Sequence, residues 1–310
     1  HPEIFAWLNL HTYGGVLIRP LGHAPDNKME PQDLALFRQI EAWTREYTRY
    51  PSVSGYEEFL YEPDKPLHGS LSEYAYHQRG AIGYVIELWD LFARLGVPRP
   101  KRFVEYYDRF SQADLLRLAR WDQEHNASRI FRPWQSCVHP QLGAVEVGGI
   151  DPRIGLWNPP PEELAELCQE HARAFLRVAS LAPALHVELG DVTQLSAGVQ
   201  RVTLFVENQG YLPSSILASA RHLDFNEPVY IECEPVGCEL LDTAQRHVVL
   251  GHLEGWGRGL HSGHNLAHYQ RSSGNGHRAR VTYLVRGKGT LRVRAGSCRV
   301  GFRHAQVELG

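Results

Sequence analysis

The hydrophobic period of this chain changes at Pro183. Before it, apolar residues come in short unbroken runs or at intervals of three and four, the patterns of buried strands and amphipathic helices. After it they alternate with polar residues over residues 185–189, 200–207, 229–233, 281–285 and 290–294, which is the period of half-buried strands. Turn chemistry separates these segments at Asn208-Gln209-Gly210 and Arg286-Gly287-Lys288-Gly289. Residues 184–310 are therefore expected to form an antiparallel β-sandwich, and residues 1–183 an α/β unit.

Within the first unit, residues 4–10 make an apolar run that ends at His11 and is followed by Gly14-Gly15. A second run, residues 81–86, is entered through Gly80 and ends at Glu87. Unbroken runs of this kind suit central parallel strands covered on both faces. At the carboxyl edge of such a sheet, side chains from different strands share one crevice, so His11 and Glu87 are expected to meet there. An imidazole can hold a metal, and a carboxylate can take a proton from its bound water. The competing readings are a satisfied core histidine and a structural carboxylate. Helices are expected over residues 31–50, where Leu34, Phe37, Ile40, Trp43 and Tyr47 share a face, and over 71–78, 103–124 and 161–182.

These separated blocks resemble the zinc carboxypeptidase family over roughly the first 160 residues. The resemblance implies one zinc ion with His11 as its third ligand, Glu87 as general base, and Tyr61 as the mobile tyrosine that closes over a peptide substrate. It places Tyr13 and Leu71 at the substrate, with Leu71 lining an apolar pocket for the departing side chain and Glu73 as a rival that would favour a basic one. Residues 139–143 and 145–149 are similar to blocks that follow the catalytic glutamate in bacterial members, and residues 206–213 to a segment of their carboxyl-terminal β-domain. The implied fold is α/β: a partial, mixed but mostly parallel sheet flanked by helices over residues 1–183, then the β-sandwich, whose partner stays unidentified.

The family's first two ligands come from a His-x-x-Glu motif, and no His-x-x-Glu occurs in the 310 residues. The arginines with which the family grips a substrate carboxylate are missing too. The chain is therefore expected to be the carboxyl-terminal part of a longer protein, inactive and without stoichiometric zinc by itself. Two other readings stay open: a zinc hydrolase of acylated amino acids, and a catalytically dead binding protein.

A net charge of −3 supplies no field for nucleic acid, and no apolar run reaches the roughly 18 to 20 residues of a membrane span. Compartment follows only by family analogy, as secreted or periplasmic, with a cytoplasmic location left open. Five cysteines make no disulfide framework; Cys233 and Cys238 either bridge a hairpin or remain two thiols beside a turn. His261, His264 and His268 have a metal-like spacing, but their glycine-rich flanks oppose a fixed ligand set. His139 and Glu146 are expected to serve packing and a turn.

Overall fold

The computed structural model describes residues 1–257 and 276–310. The two apolar runs become β1 (Ala6–Thr12) and β4 (Ile82–Leu88), paired in parallel with His11 opposite Glu87. Between them the chain forms β2 (Val16–Arg19), α1 (Pro31–Thr48), β3 (Ser52–Ser54) and α2 (Leu71–Glu73), which continues as a wider π-turn, Tyr74–Gln78. Strand β2 pairs antiparallel with β4 on the side away from β1, and parallel with β3, giving the order β1-β4-β2-β3. Tyr13, Gly14 and Gly15 must therefore carry the chain around the end of β4. Gly15 sits at φ +62°, and a Cβ there would collide with the Asp90 side chain; one on Gly14 would strike the Tyr107 hydroxyl.

Helix α1 starts where the sequence placed it, with Pro31 in the first turn and Glu30 accepting from the Gln32 amide, and Arg49 in the left-handed region closes it. Its buried Leu36, Phe37 and Ile40 pack with Ile82, Tyr84 and Ile86 of β4. Burial of each such side chain is worth about 1.5–3 kcal/mol. The helix expected over residues 103–124 is broken in two. A 3-10 turn, Phe103–Tyr107, precedes α4 (Gln112–His125), because Ser111 and Asp114 form a reciprocal capping box that starts a new helix. Between β4 and that turn lies the short α3 (Leu91–Arg94), and α5 (Leu164–Ala179) packs along α1. Residues 131–150, unassigned as strands from sequence, form a largely exposed antiparallel hairpin, β5 (Phe131–His139) and β6 (Gly143–Ile150).

Beyond Pro183 come β7 (Leu185–Ser196), β8 (Val199–Asn208), β9 (Val229–Val236), β10 (Glu239–Leu240), β11 (His247–Gly251), β12 (Arg278–Arg286), β13 (Gly289–Ser297) and β14 (Gly301–Leu309). They make two antiparallel sheets, β10-β12-β8-β7 and β11-β9-β13-β14, around one core that includes Val202, Leu204, Ile231, Tyr283 and Leu291. Cys233 and Cys238 are both free thiols.

The expected α/β class is overturned. Among the described residues ten of the fourteen strands lie in antiparallel sheets, and in the first sheet, mixed as expected, β2 runs against β4. The tight turn at Gly14-Gly15 reverses β2 where a parallel strand would need a long crossover, and the hairpin β5–β6 and the strands after Pro183 supply the rest of the antiparallel pairing. Nor do the two halves keep separate interiors. Tyr211, Leu212, Ile216 and Leu217 join the core built on α1 and β4. Asp33 accepts from the amides of Ala218 and Ser219, and Arg299, nearly sealed from solvent, donates to the carbonyls of Pro2, Ile4 and Gly80. The pattern His261, His264, His268 lies outside the described residues.

Candidate active site

Glu87 occupies the end of β4 with a neighbour on each side: His11 across the parallel pairing and Val16 across the antiparallel one. Glu87 is only 8% exposed, and its Oε2 is buried with no hydrogen-bond partner among the described residues. Its Oε1 lies 3.7 Å from His11 Nδ1, within reach of charge attraction but beyond a hydrogen bond. Burial without compensating donors disfavours the charged form, and it pushes the Glu87 carboxyl up to about 7.

His11 is more exposed than its partner. The Asn9 amide lies 2.7 Å from Nε2, and with that amide donating, the ring proton sits on Nδ1 and faces Glu87. Just beyond, Trp89 is fully buried and held at φ +72°, a left-handed backbone that a bulky residue adopts only when its surroundings dictate it. They do: its backbone N–H donates to the Tyr50 hydroxyl, its indole to the Gly155 carbonyl, and its own carbonyl accepts from Gly14.

Aromatic rings form the mouth over Glu87. The Tyr107 hydroxyl donates to the Tyr13 carbonyl at 2.7 Å, and the two rings meet edge to face with centroids 5.2 Å apart. Tyr61 is 62% exposed, with its ring edge against Phe59. Burial, then the Glu87 charge, raises the Tyr61 phenol, and burial followed by the charges of Glu87, Tyr61 and Tyr13 raises that of Tyr107. The Tyr13 phenol is likewise raised by burial, while a hydrogen bond with Trp157 works the other way.

Of the residues singled out in sequence, His11, Glu87, Tyr61 and Tyr13 converge. Leu71 does not join them. It begins α2, whose Ser72 packs over Gly83, four residues and about 13 Å of strand from Glu87. Its side chain is 41% exposed. The rival Glu73 turns away as well, toward His23 and the Gly22 amide. His139 caps the turn of the β5–β6 hairpin, its Nδ1 accepting from Gln141 and Leu142. Tyr107 and Trp157 went unread in sequence, since nothing local distinguishes them from core aromatics.

A zinc site takes three protein donors plus water. Neither His11 nor Glu87 belongs to a cluster of three histidine, cysteine or carboxylate donors among the described residues. The described residues therefore fit one ligand position and do not complete the set. A cavity of about 340 Å³ is lined by Thr48, Arg49, Trp89, Asp90, Arg94 and Glu170, and by neither His11 nor Glu87.

Comparison with known proteins reaches mainly the second half. Residues 184–308 match the model of a family described as a domain of unknown function (DUF8731), which covers the two facing sheets and none of the strands that carry His11 and Glu87. No curated protein matches the chain. Among solved structures, the chain is similar to DesR, a β-glucosidase from Streptomyces venezuelae in complex with D-glucose, at 14% identity. That likeness covers 41% of this chain and 15% of DesR with a TM-score of 0.19, too low to carry an argument about fold or activity.

Proposed function

We propose that the His11–Glu87 mouth is the proton-transfer part of a peptidase site of the zinc carboxypeptidase kind. The observation that carries this reading is the buried, unpaired Oε2 of Glu87 on a carboxyl poised near neutral pH. A general base works best with a pKa near the operating pH. Glu87 takes a proton from the attacking water and returns it to the leaving amine, which conserves protons over the cycle. Tyr61 closes over the substrate and offers its hydroxyl to the peptide. Tyr13 and Tyr107 hold the wall that excludes bulk water and so strengthens every polar contact inside. His11 would provide one imidazole to a zinc ion; because the described residues do not complete that site, no step is routed through a metal.

The test is release of the carboxyl-terminal residue from short peptides, followed by mass spectrometry with the protein as expressed from its own gene. Turnover that falls about 10²- to 10⁴-fold in Glu87→Gln supports the reading. Equal turnover in the variant sinks it, and saturable peptide binding without any turnover favours the binding-protein alternative instead.

A further inference from the structure

A second set of chemistry-bearing side chains meets at the other end of β2. His23 lies just past that strand, following Gly22, while Glu73 and His77 stand four residues apart where α2 passes into the π-turn. Residues i and i+4 of a helix project from one face, and π-turns inserted in helices recur at functional sites. His23 Nδ1 is 2.6 Å from Glu73 Oε1, and the His23 and His77 rings lie 5.3 Å apart. One donor atom from each of His23, Glu73 and His77 falls within 4.8 Å of the others. Neither ring nitrogen of His77 has a hydrogen-bond partner among the described residues.

We infer that His23, Glu73 and His77 form a binding site for one divalent transition-metal ion, with zinc the best match. Two imidazoles and one carboxylate are a common three-donor zinc set that leaves a fourth position for water. Nitrogen donors select zinc and its neighbours over magnesium or calcium, which take oxygen. The fit needs only small movements. Donors on a tetrahedral zinc with bonds of 2.0–2.1 Å stand about 3.4 Å apart, so the His23–Glu73 contact opens slightly and His77 draws in. Outer support is already built: Glu73 is nearly buried, and its Oε1 accepts from the Gly22 amide at 3.0 Å, which orients the carboxylate. His77 is exposed, so an ion can reach the site from solvent.

The position gives such an ion something to hold. The Leu67 amide donates to the Gly22 carbonyl, and the His68 ring stacks on His23 with centroids 5.8 Å apart. An ion here would pin the loop 61–70 to β2 and α2. On the peptidase reading, that loop brings Tyr61 over Glu87; the metal site itself does not depend on that reading.

The experiment is a titration of the metal-stripped protein with zinc chloride, with bound metal measured after dialysis and cobalt(II) used as a spectroscopic substitute. We expect one zinc equivalent that persists in His11→Ala and a cobalt(II) complex with visible d–d bands. His77→Ala and His23→Ala should each weaken that equivalent by more than the roughly 10- to 100-fold that loss of an outer-shell partner costs. Circular dichroism establishes that each variant is folded, and if His77→Ala is not, His77→Gln replaces it. Binding lost in His11→Ala but intact in folded His77 and His23 variants would overturn the assignment, as would a His11→Ala protein that takes up no zinc. Neither result bears on turnover by Glu87, so the two proposals fail separately.

Discussion

Two histidine–glutamate pairs lie in the first sheet region, and their difference is instructive. Glu73 and Glu87 are almost equally buried, at 6% and 8% exposure. Glu73 receives a histidine at 2.6 Å and a backbone amide at 3.0 Å, whereas Glu87 has its histidine at 3.7 Å and one oxygen with nothing. A buried carboxylate with donors is structural or ligating, while one left short of donors stores the penalty of its own desolvation. The second kind accepts a proton readily. The donors that reach each carboxylate, and not the residue types, separate the two pairs.

The largest test of that contrast is catalytic. Glu87→Gln should raise the barrier to peptide hydrolysis by roughly 3–5 kcal/mol, the general-base range, read as kcat at saturating peptide. If Glu73→Gln in a folded protein lowered kcat as much, the division of roles would collapse.

Next in size is the effect of pH on stability. The Glu87 carboxyl titrates at about 7 in the native state against 4.5 as the ordinary value, so between those pH values the native protein holds a proton that the unfolded chain has released. Native stability from this group is therefore highest below pH 4.5, falls as pH rises to 7, and is flat beyond, a loss of about 3 kcal/mol in all. Denaturant midpoints of the parent and Glu87→Gln, compared at pH 5 and pH 8, should diverge, with the parent losing more. Parallel shifts would mean that Glu87 is not destabilised by burial.

Glu73→Ala removes the acceptor of the buried Gly22 amide and should cost about 1–3 kcal/mol in urea unfolding at constant slope. An unchanged midpoint would show that water replaces the carboxylate there. The smallest effect belongs to Tyr61→Phe. Its ring packing on Phe59 survives, so only a phenolic hydrogen bond worth about 0.5–1.5 kcal/mol in the barrier is lost, and kcat/KM should drop by no more than about tenfold. A loss equal to that of Glu87→Gln would make Tyr61 a participant in proton transfer.

Much of the site was legible because its parts are strand ends. Runs of apolar residues told where β1 and β4 lie, and their last residues, His11 and Glu87, became register partners. Leu71 stands apart from these residues because the helix it begins packs over Gly83, and nothing in a local segment tells which end of a strand a helix covers. Tyr107 arrives from a segment read only as a helix, and Trp157 from one given no reading. His23 escaped notice because its partners lie fifty residues away, and no spacing rule links a loop histidine to a helix face.

What the sequence determined by itself is local: the helix start at Pro31, the alternation after Pro183, and the glycine pair after His11. Each of these follows from a residue's own conformational preference or from the period with which its neighbours meet solvent. Tertiary structure decided the direction of β2 beside β4. It also merged Tyr211, Leu212, Ile216 and Leu217 into the core of α1 and gave Glu73 two donors while leaving Glu87 an orphaned oxygen. Strand direction and polar satisfaction depend on which distant backbone groups arrive, and local periodicity reports only that a residue is covered, never by what.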